Sequence, residues 1–208
     1  MPQLVDGVWV KGDVAESEMK AGAFHREPTR FRRWITPDGS PGPEGQEAVK
    51  AEAGRFQLFV AYICPWASRT LMIRVLKGLQ EAVPLAVAEP ELGEDGWAYA
   101  PQADAGERVG PIRFQHQLYT ASDPHYTGKV SVPVLWDRQE GRIVNNESAD
   151  ILRILNSGFE GSPAIGPISL HRPCAARSTG GTRRSTTAST TASTAPGLPR
   201  RRRPMTRP

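Results

Sequence analysis

The run VSVPVLWD, residues 130–137, reads as a buried strand, yet a proline stands near its middle. A central strand uses every backbone N–H in its ladder, and proline has none to offer. Pro133 therefore belongs either to an edge strand with an ordinary trans bond or to a special backbone arrangement. A cis Val132–Pro133 bond is the special arrangement expected here, because it turns the Val132 backbone outward, where it can pair with a peptide-like ligand.

The neighbouring segments narrow the choice. RFQLFVAYI (55–63) is rich in β-branched and aromatic residues and reads as a buried strand. PWASRTLMIRVLKGLQ (65–80) follows, with Pro65 at a natural first helical position and an apolar stripe of Leu71, Ile73, Val75, Leu76 and Leu79 that suits an amphipathic helix. VPLAVAE (83–89) is a second strand, whereas 90–128 lacks a clear period and reads as a long functional loop with a helical turn or two. The run at 130–137 and RIV (142–144) form a strand pair joined by RQEG, and NESADILRILN (146–156) begins a closing helix. Strand, helix, strand, long link, strand, strand, helix is the order of a thioredoxin-like α/β domain: a βαβ unit, a hairpin and a helix on one mixed sheet.

The ends read differently. Residues 1–50 mix glycine, proline and charge and form an irregular, partly ordered extension; residues 51–159 form the domain; residues 160–208 cannot bury a core. Charge divides the same way. The net +4 combines +8 in residues 160–208, which hold nine arginines and one acid, with −4 in the rest. The basic balance thus belongs to the tail and does not argue for a nucleic-acid-binding domain. Two cysteines, no leader pattern and no long apolar run point to a soluble, cytoplasmic chain with neither a disulfide framework nor a membrane span. His25, His116, His125 and His171 lack metal-ligand spacing, and no glycine-rich phosphate loop is present, so neither a metal nor a nucleotide is expected.

Cys64 falls where the first strand gives way to the first helix. A thiolate is the sulfur nucleophile, and a helix N-terminus favours that form through its unpaired N–H groups and dipole. A dithiol motif would place a second cysteine three positions on, but Ala67 stands there. An external thiol must therefore resolve an oxidised Cys64, and glutathione is the cytosolic thiol that fits. A buried structural cysteine is the competing reading.

FVAYICPWASRT, DPHYTGKVSVPVLWD and IVNNESADILRILN, with RFRRWITPDGS and DGWAY, resemble the glutathionyl-hydroquinone reductases, the Xi class of glutathione transferases, over residues 29–159. The resemblance implies that Cys64 takes glutathione from a glutathionyl-hydroquinone, releases the hydroquinone, and is freed by a second glutathione. It also implies that Val132 and Pro133 present backbone to the cysteinyl part of glutathione, that Glu147 and Ser148 hold its γ-glutamyl end, and that Trp97 packs near it. The start of a helix independently suits a carboxylate, and Glu147 suits an ammonium; a helix cap without a ligand, and a core anchor at Trp97, are the plainer alternatives. Ser68 stands where the family usually has histidine. An omega-like glutathione thiol transferase is a second reading, and a non-catalytic protein using its basic tail is a third.

The family continues with an all-helical domain that supplies tyrosines around the hydroquinone and contacts for a homodimer. Here the chain runs RSTGGTRRSTTASTTASTAPGLPRRRRPMTRP instead. Shifting the frame by one nucleotide lets Arg177–Gly197 recode as EIDRWNATIYDSVNDGVYRAG and the closing residues as FATTQEAYDEA, both similar to that helical domain. Residues 160–208 are therefore expected to be an unstructured, frameshifted tail, and hydroquinone reduction by the chain as written is expected to be impaired.

Overall fold

The computed structural model describes residues 2–11, 19–20, 23–24 and 29–161. Its centre is a four-stranded sheet in the order β12–β11–β7–β8, formed by β7 (Phe56–Val60), β8 (Leu85–Val87), β11 (Val134–Asp137) and β12 (Arg142–Asn145). β7 runs parallel to β8, with Leu58 opposite Leu85, and antiparallel to β11, with Phe59 opposite Val134. The crossover between β7 and β8 is α1 (Pro65–Leu76), and α3 (Ser148–Ser157) follows the β11–β12 hairpin. This is the thioredoxin-like arrangement.

All five residues of β7 are buried, as a strand covered on both faces requires. Their alternation divides the core. Phe56, Leu58 and Val60 pack with Leu135, Val144, Ile151, Ile154 and Leu155 beneath α1 and α3. Phe59 packs on the opposite face with Val134, Trp136, Ile143, Tyr99 and Tyr119. One end of the sheet is fastened by charge: Arg55 reaches the fully buried Asp137 with two hydrogen bonds, at 3.0 and 2.6 Å.

The lead-in contains short strands. β1 (Gln3–Val5) pairs with β2 (Val8–Val10), β3 (Met19–Lys20) with β4 (Ala23–Phe24), and β5 (Trp34–Thr36) runs parallel to β6 (Ala48–Lys50). Leu4 exchanges both backbone hydrogen bonds with Gly128, and Trp34 and Ile35 are buried in the core beneath α1 and α3. The described parts of the lead-in thus hold regular pairings that their glycine and proline content does not announce.

Two sequence expectations need correcting. Residues 90–128 are not mostly loop: they hold an antiparallel hairpin, β9 (Ala98–Asp104) and β10 (Pro111–Phe114), and the helix α2 (His116–Ser122). The apolar stripe of α1 does not face the core as a unit. The buried residues are Ala67, Thr70 and Arg74, while Val75 and Leu76 are 57% and 67% exposed. Arg74 can take a core position because the carbonyls of Val83 and Gln80 accept its guanidinium, so its aliphatic stem packs like an apolar side chain. The expectation of a disordered, frameshifted tail concerns residues 160–208, and all but the first two of these lie outside the described residues. His25 and His171 lie outside them as well. No helix among the described residues is long and apolar enough to cross a membrane.

Candidate active site

Cys64 occupies the N-cap position of α1, with Pro65 as the first helical residue. Proline fits there because the first helical N–H has no intrahelical partner to lose. The Cys64 carbonyl accepts from Ala67 N and Ser68 N, both at 3.1 Å, which starts the helix on the cysteine's own backbone. Ser68 Oγ, in the place of the family's histidine, donates to the same carbonyl at 3.2 Å. Cys64 is half-buried, and its Sγ donates toward the Val132 carbonyl at 3.5 Å. The structure thus sets the Cys64 sulfur beside the Val132 backbone. The Val132–Pro133 bond is cis. Pro133 also lies just before β11 rather than inside it, so it costs the ladder no hydrogen bond.

The second half of the site comes from the β12–α3 junction. Glu147 is the N-cap residue of α3, its side chain accepting from Ala149 N at 3.4 Å, and its own N–H donates to Asn145 Oδ1 at 2.8 Å. Ser148 is buried at the first helical position, where its Oγ accepts a hydrogen bond from Arg69 on α1. The capping role that the sequence left open is thus real for Glu147, and the carboxylate still lies 3.8 Å from Arg69. Lead-in residues brace this junction: Arg32 pairs with the buried Asp150, and Asn145 Nδ2 donates to the Arg33 carbonyl at 3.0 Å.

Trp97 packs, half-buried, against the core cluster containing Phe59, and Cys64 flanks the same cluster. Its carbonyl accepts from Gln115 N at 2.9 Å.

Sequence reasoning missed the link between the two halves, Tyr119 on α2. Its hydroxyl donates to Ser131 O at 3.1 Å and accepts from Ser131 N at 3.2 Å and Asn146 Nδ2 at 3.3 Å. The same hydroxyl also lies 3.3 Å from Ser131 Oγ, so it is held from several sides. Ser131 immediately precedes Val132 and Asn146 immediately precedes Glu147, so one buried oxygen ties the two segments together. A second buried pair supports it: Tyr99 donates to Gln115 Oε1, and Gln115 Nε2 donates to Ser131 O at 3.3 Å. Burial pushes the Tyr99 hydroxyl well above its ordinary range, which keeps it a neutral donor. Tyr119→Phe strands the Ser131 N–H and the Asn146 amide. The expected loss is about 1–3 kcal/mol, read as a lower urea midpoint; an unchanged midpoint would remove Tyr119 from this role.

The remaining histidines do other work. His116 is stacked between Trp9 and Phe114, at 4.8 and 5.5 Å, and His125 pairs with Asp6 at the surface. Among the described residues no cluster of histidine, cysteine, aspartate or glutamate could hold a metal ion.

Residues 63–157 match the glutathione S-transferase N-terminal domain. The glutathionyl-hydroquinone reductase YqjG of Escherichia coli (strain K12) is 43% identical over 162 residues, covering 77% of this chain and 49% of its own. The glutathione S-transferase omega-like 2 of Schizosaccharomyces pombe is 37% identical over 147 residues, covering 70% and 45%. Among solved structures, glutathione-bound YqjG from Escherichia coli K-12 superposes with a TM-score of 0.61 at 38% identity, covering 84% of this chain and 51% of the other. A Xi-class transferase from Natrialba magadii gives 0.59 at 40%, covering 76% and 45%. The chain thus spans about half the length of the curated relatives it matches. The shared half includes the Cys64 junction, the Val132–Pro133 segment and the α3 start, and on that ground the chain belongs to the glutathionyl-hydroquinone reductase, or Xi-class, family of glutathione transferases.

Proposed function

We propose that this chain binds glutathione across Cys64, Val132, Pro133, Glu147 and Ser148, with Trp97 alongside, and that Cys64 reduces glutathionyl-hydroquinones. The observation that carries the reading is the contact between Cys64 Sγ and Val132 O. It sets the nucleophile against the backbone that would hold the cysteinyl part of the ligand, so a bound glutathione sulfur would lie within reach of Cys64. In the first step the Cys64 thiolate attacks the thioether sulfur. An S–S bond forms, the carbon–sulfur bond breaks, and its electron pair stays on the ring carbon, which takes a proton and leaves as the hydroquinone. In the second step a glutathione thiolate attacks the Cys64-bound glutathione, releasing glutathione disulfide and the Cys64 thiolate. Two glutathione equivalents supply the two electrons, one of them carried in by the substrate.

The cytoplasm, where glutathione is abundant and reduced, is the compartment this chemistry suits. A homodimer belongs, by resemblance, to the form that carries the helical domain. The omega-like relative keeps a second reading open, exchange of glutathione with small disulfides. Product analysis separates the two. In a chain with its reading frame restored after residue 159, given glutathione and a glutathionyl-hydroquinone, hydroquinone and glutathione disulfide are expected in equal amounts. Thiol exchange with glutathione-capped small disulfides but no hydroquinone would favour the omega-like activity.

A further inference from the structure

Arg69 was not among the residues singled out from sequence, yet it lies where α1 meets the start of α3. Its guanidinium donates to the buried Ser148 Oγ, lies 3.8 Å from Glu147 Oε1, and is 5.1 Å from the Trp66 ring centroid. Its Nε is buried and has no hydrogen-bond partner. A guanidinium offers five N–H donors; the contacts to Ser148 and Glu147 both involve one terminal nitrogen, and the side chain is 31% exposed, which leaves donors accessible beside the first N–H groups of a ten-residue helix.

A cation and a carboxylate 3.8 Å apart, next to a helix start, are complementary to one kind of ligand group: an ammonium and a carboxylate on the same carbon. The γ-glutamyl end of glutathione is such a group. We infer that Arg69 is a specificity-determining residue of this site, binding the α-carboxylate of the γ-glutamyl moiety together with the α3 N-terminus, while Glu147 takes the α-ammonium. The inference rests on the glutathione reading above and extends it to a residue outside it. Ser148 then has a double role. It accepts from Arg69, which orients the guanidinium, and its hydroxyl hydrogen remains available to the same carboxylate.

The experiment uses the full 208-residue chain and three symmetric disulfides: that of glutathione, that of its analogue lacking the α-carboxylate, and that of its analogue lacking the α-amino group. The rate of mixed-disulfide formation on Cys64 is followed by mass spectrometry. The unaltered chain is expected to favour glutathione disulfide over the carboxylate-deleted compound by about tenfold or more, the size of effect a charge-assisted, forked contact supports. In Arg69→Gln, which can still hydrogen-bond Ser148, that preference collapses to within about twofold, while the penalty for deleting the amino group persists. Arg69→Lys restores part of the preference, since it keeps the charge and loses the fork.

Equal slowing of Arg69→Gln with all three disulfides would mean that Arg69 only ties α1 to α3, and would overturn the inference. So would an undiminished preference for the carboxylate. Failure of glutathione disulfide to modify Cys64 in the unaltered chain would instead overturn the glutathione reading itself, and the inference with it.

Discussion

Cys64→Ser is expected to form no mixed disulfide with glutathione under conditions where the unaltered chain is fully modified. A serine hydroxyl is un-ionised near neutral pH and does not attack sulfur, so the substitution removes the reacting atom while leaving a side chain of similar size. The fold has little stake in the change. Cys64 is only half-buried, its helix begins through its backbone carbonyl, and its side chain makes no capping hydrogen bond. An unaltered thermal midpoint should therefore accompany complete loss of the adduct. Intact-mass spectrometry followed by peptide mapping is the measurement. An adduct that persists in the serine variant, or that maps to Cys174 in the unaltered chain, would sink the assignment of Cys64 as nucleophile.

The parts of this site that could be read from sequence are those where one residue contradicts its surroundings. A proline beside an apolar strand and a cysteine at a strand–helix junction each break a local pattern, and the structure sets them together through the Cys64–Val132 contact. β7, β8, β11 and β12 were legible for a related reason: short apolar runs bounded by turn residues have few other uses. The stretch 90–128 was not. β9 is AYAPQAD, composed largely of residues that strands disfavour, and α2 spans seven residues, too few for a helical period to show. Tyr119 lies on that helix, so the residue joining both halves of the site sat inside the segment that sequence read as loop. Arg69 was hidden differently. A lone arginine on a helix reads as a solvated charge until the partner helix is in place, and only the α1–α3 packing brings it to Ser148. The α1 stripe failed for a third reason. Periodicity reports that a helix has apolar faces, not which of them the neighbouring elements cover.

That uncovered face bears on the second large effect expected. The chain as written should reduce glutathionyl-hydroquinones far more slowly than a chain with its reading frame restored after residue 159, by on the order of 10²-fold or more. The thioredoxin-like domain carries Cys64, the Val132 backbone and the α3 start, the groups proposed above to bind glutathione and exchange its thiol. The groups flanking the nucleophile face outward instead: Tyr62 is 66% exposed, Ile63 59% and Trp66 54%, and Met72, Val75 and Leu76 continue the patch along α1. On the family resemblance, a helical domain would supply the tyrosines that orient the hydroquinone. Holding a reactant in line with its nucleophile can lower a barrier by roughly 7–11 kcal/mol, so a correct cysteine without that wall is a slow catalyst. An exposed apolar patch of this size also favours self-association. The test is to express both chains, follow hydroquinone release in the presence of glutathione, and record light scattering at matched concentration. The restored chain is expected to turn over quickly and stay dispersed, whereas the chain as written still forms the Cys64 adduct but releases little hydroquinone and scatters more. Equal turnover by the two would show that residues 1–159 suffice for the reaction and would remove the argument for a shifted frame.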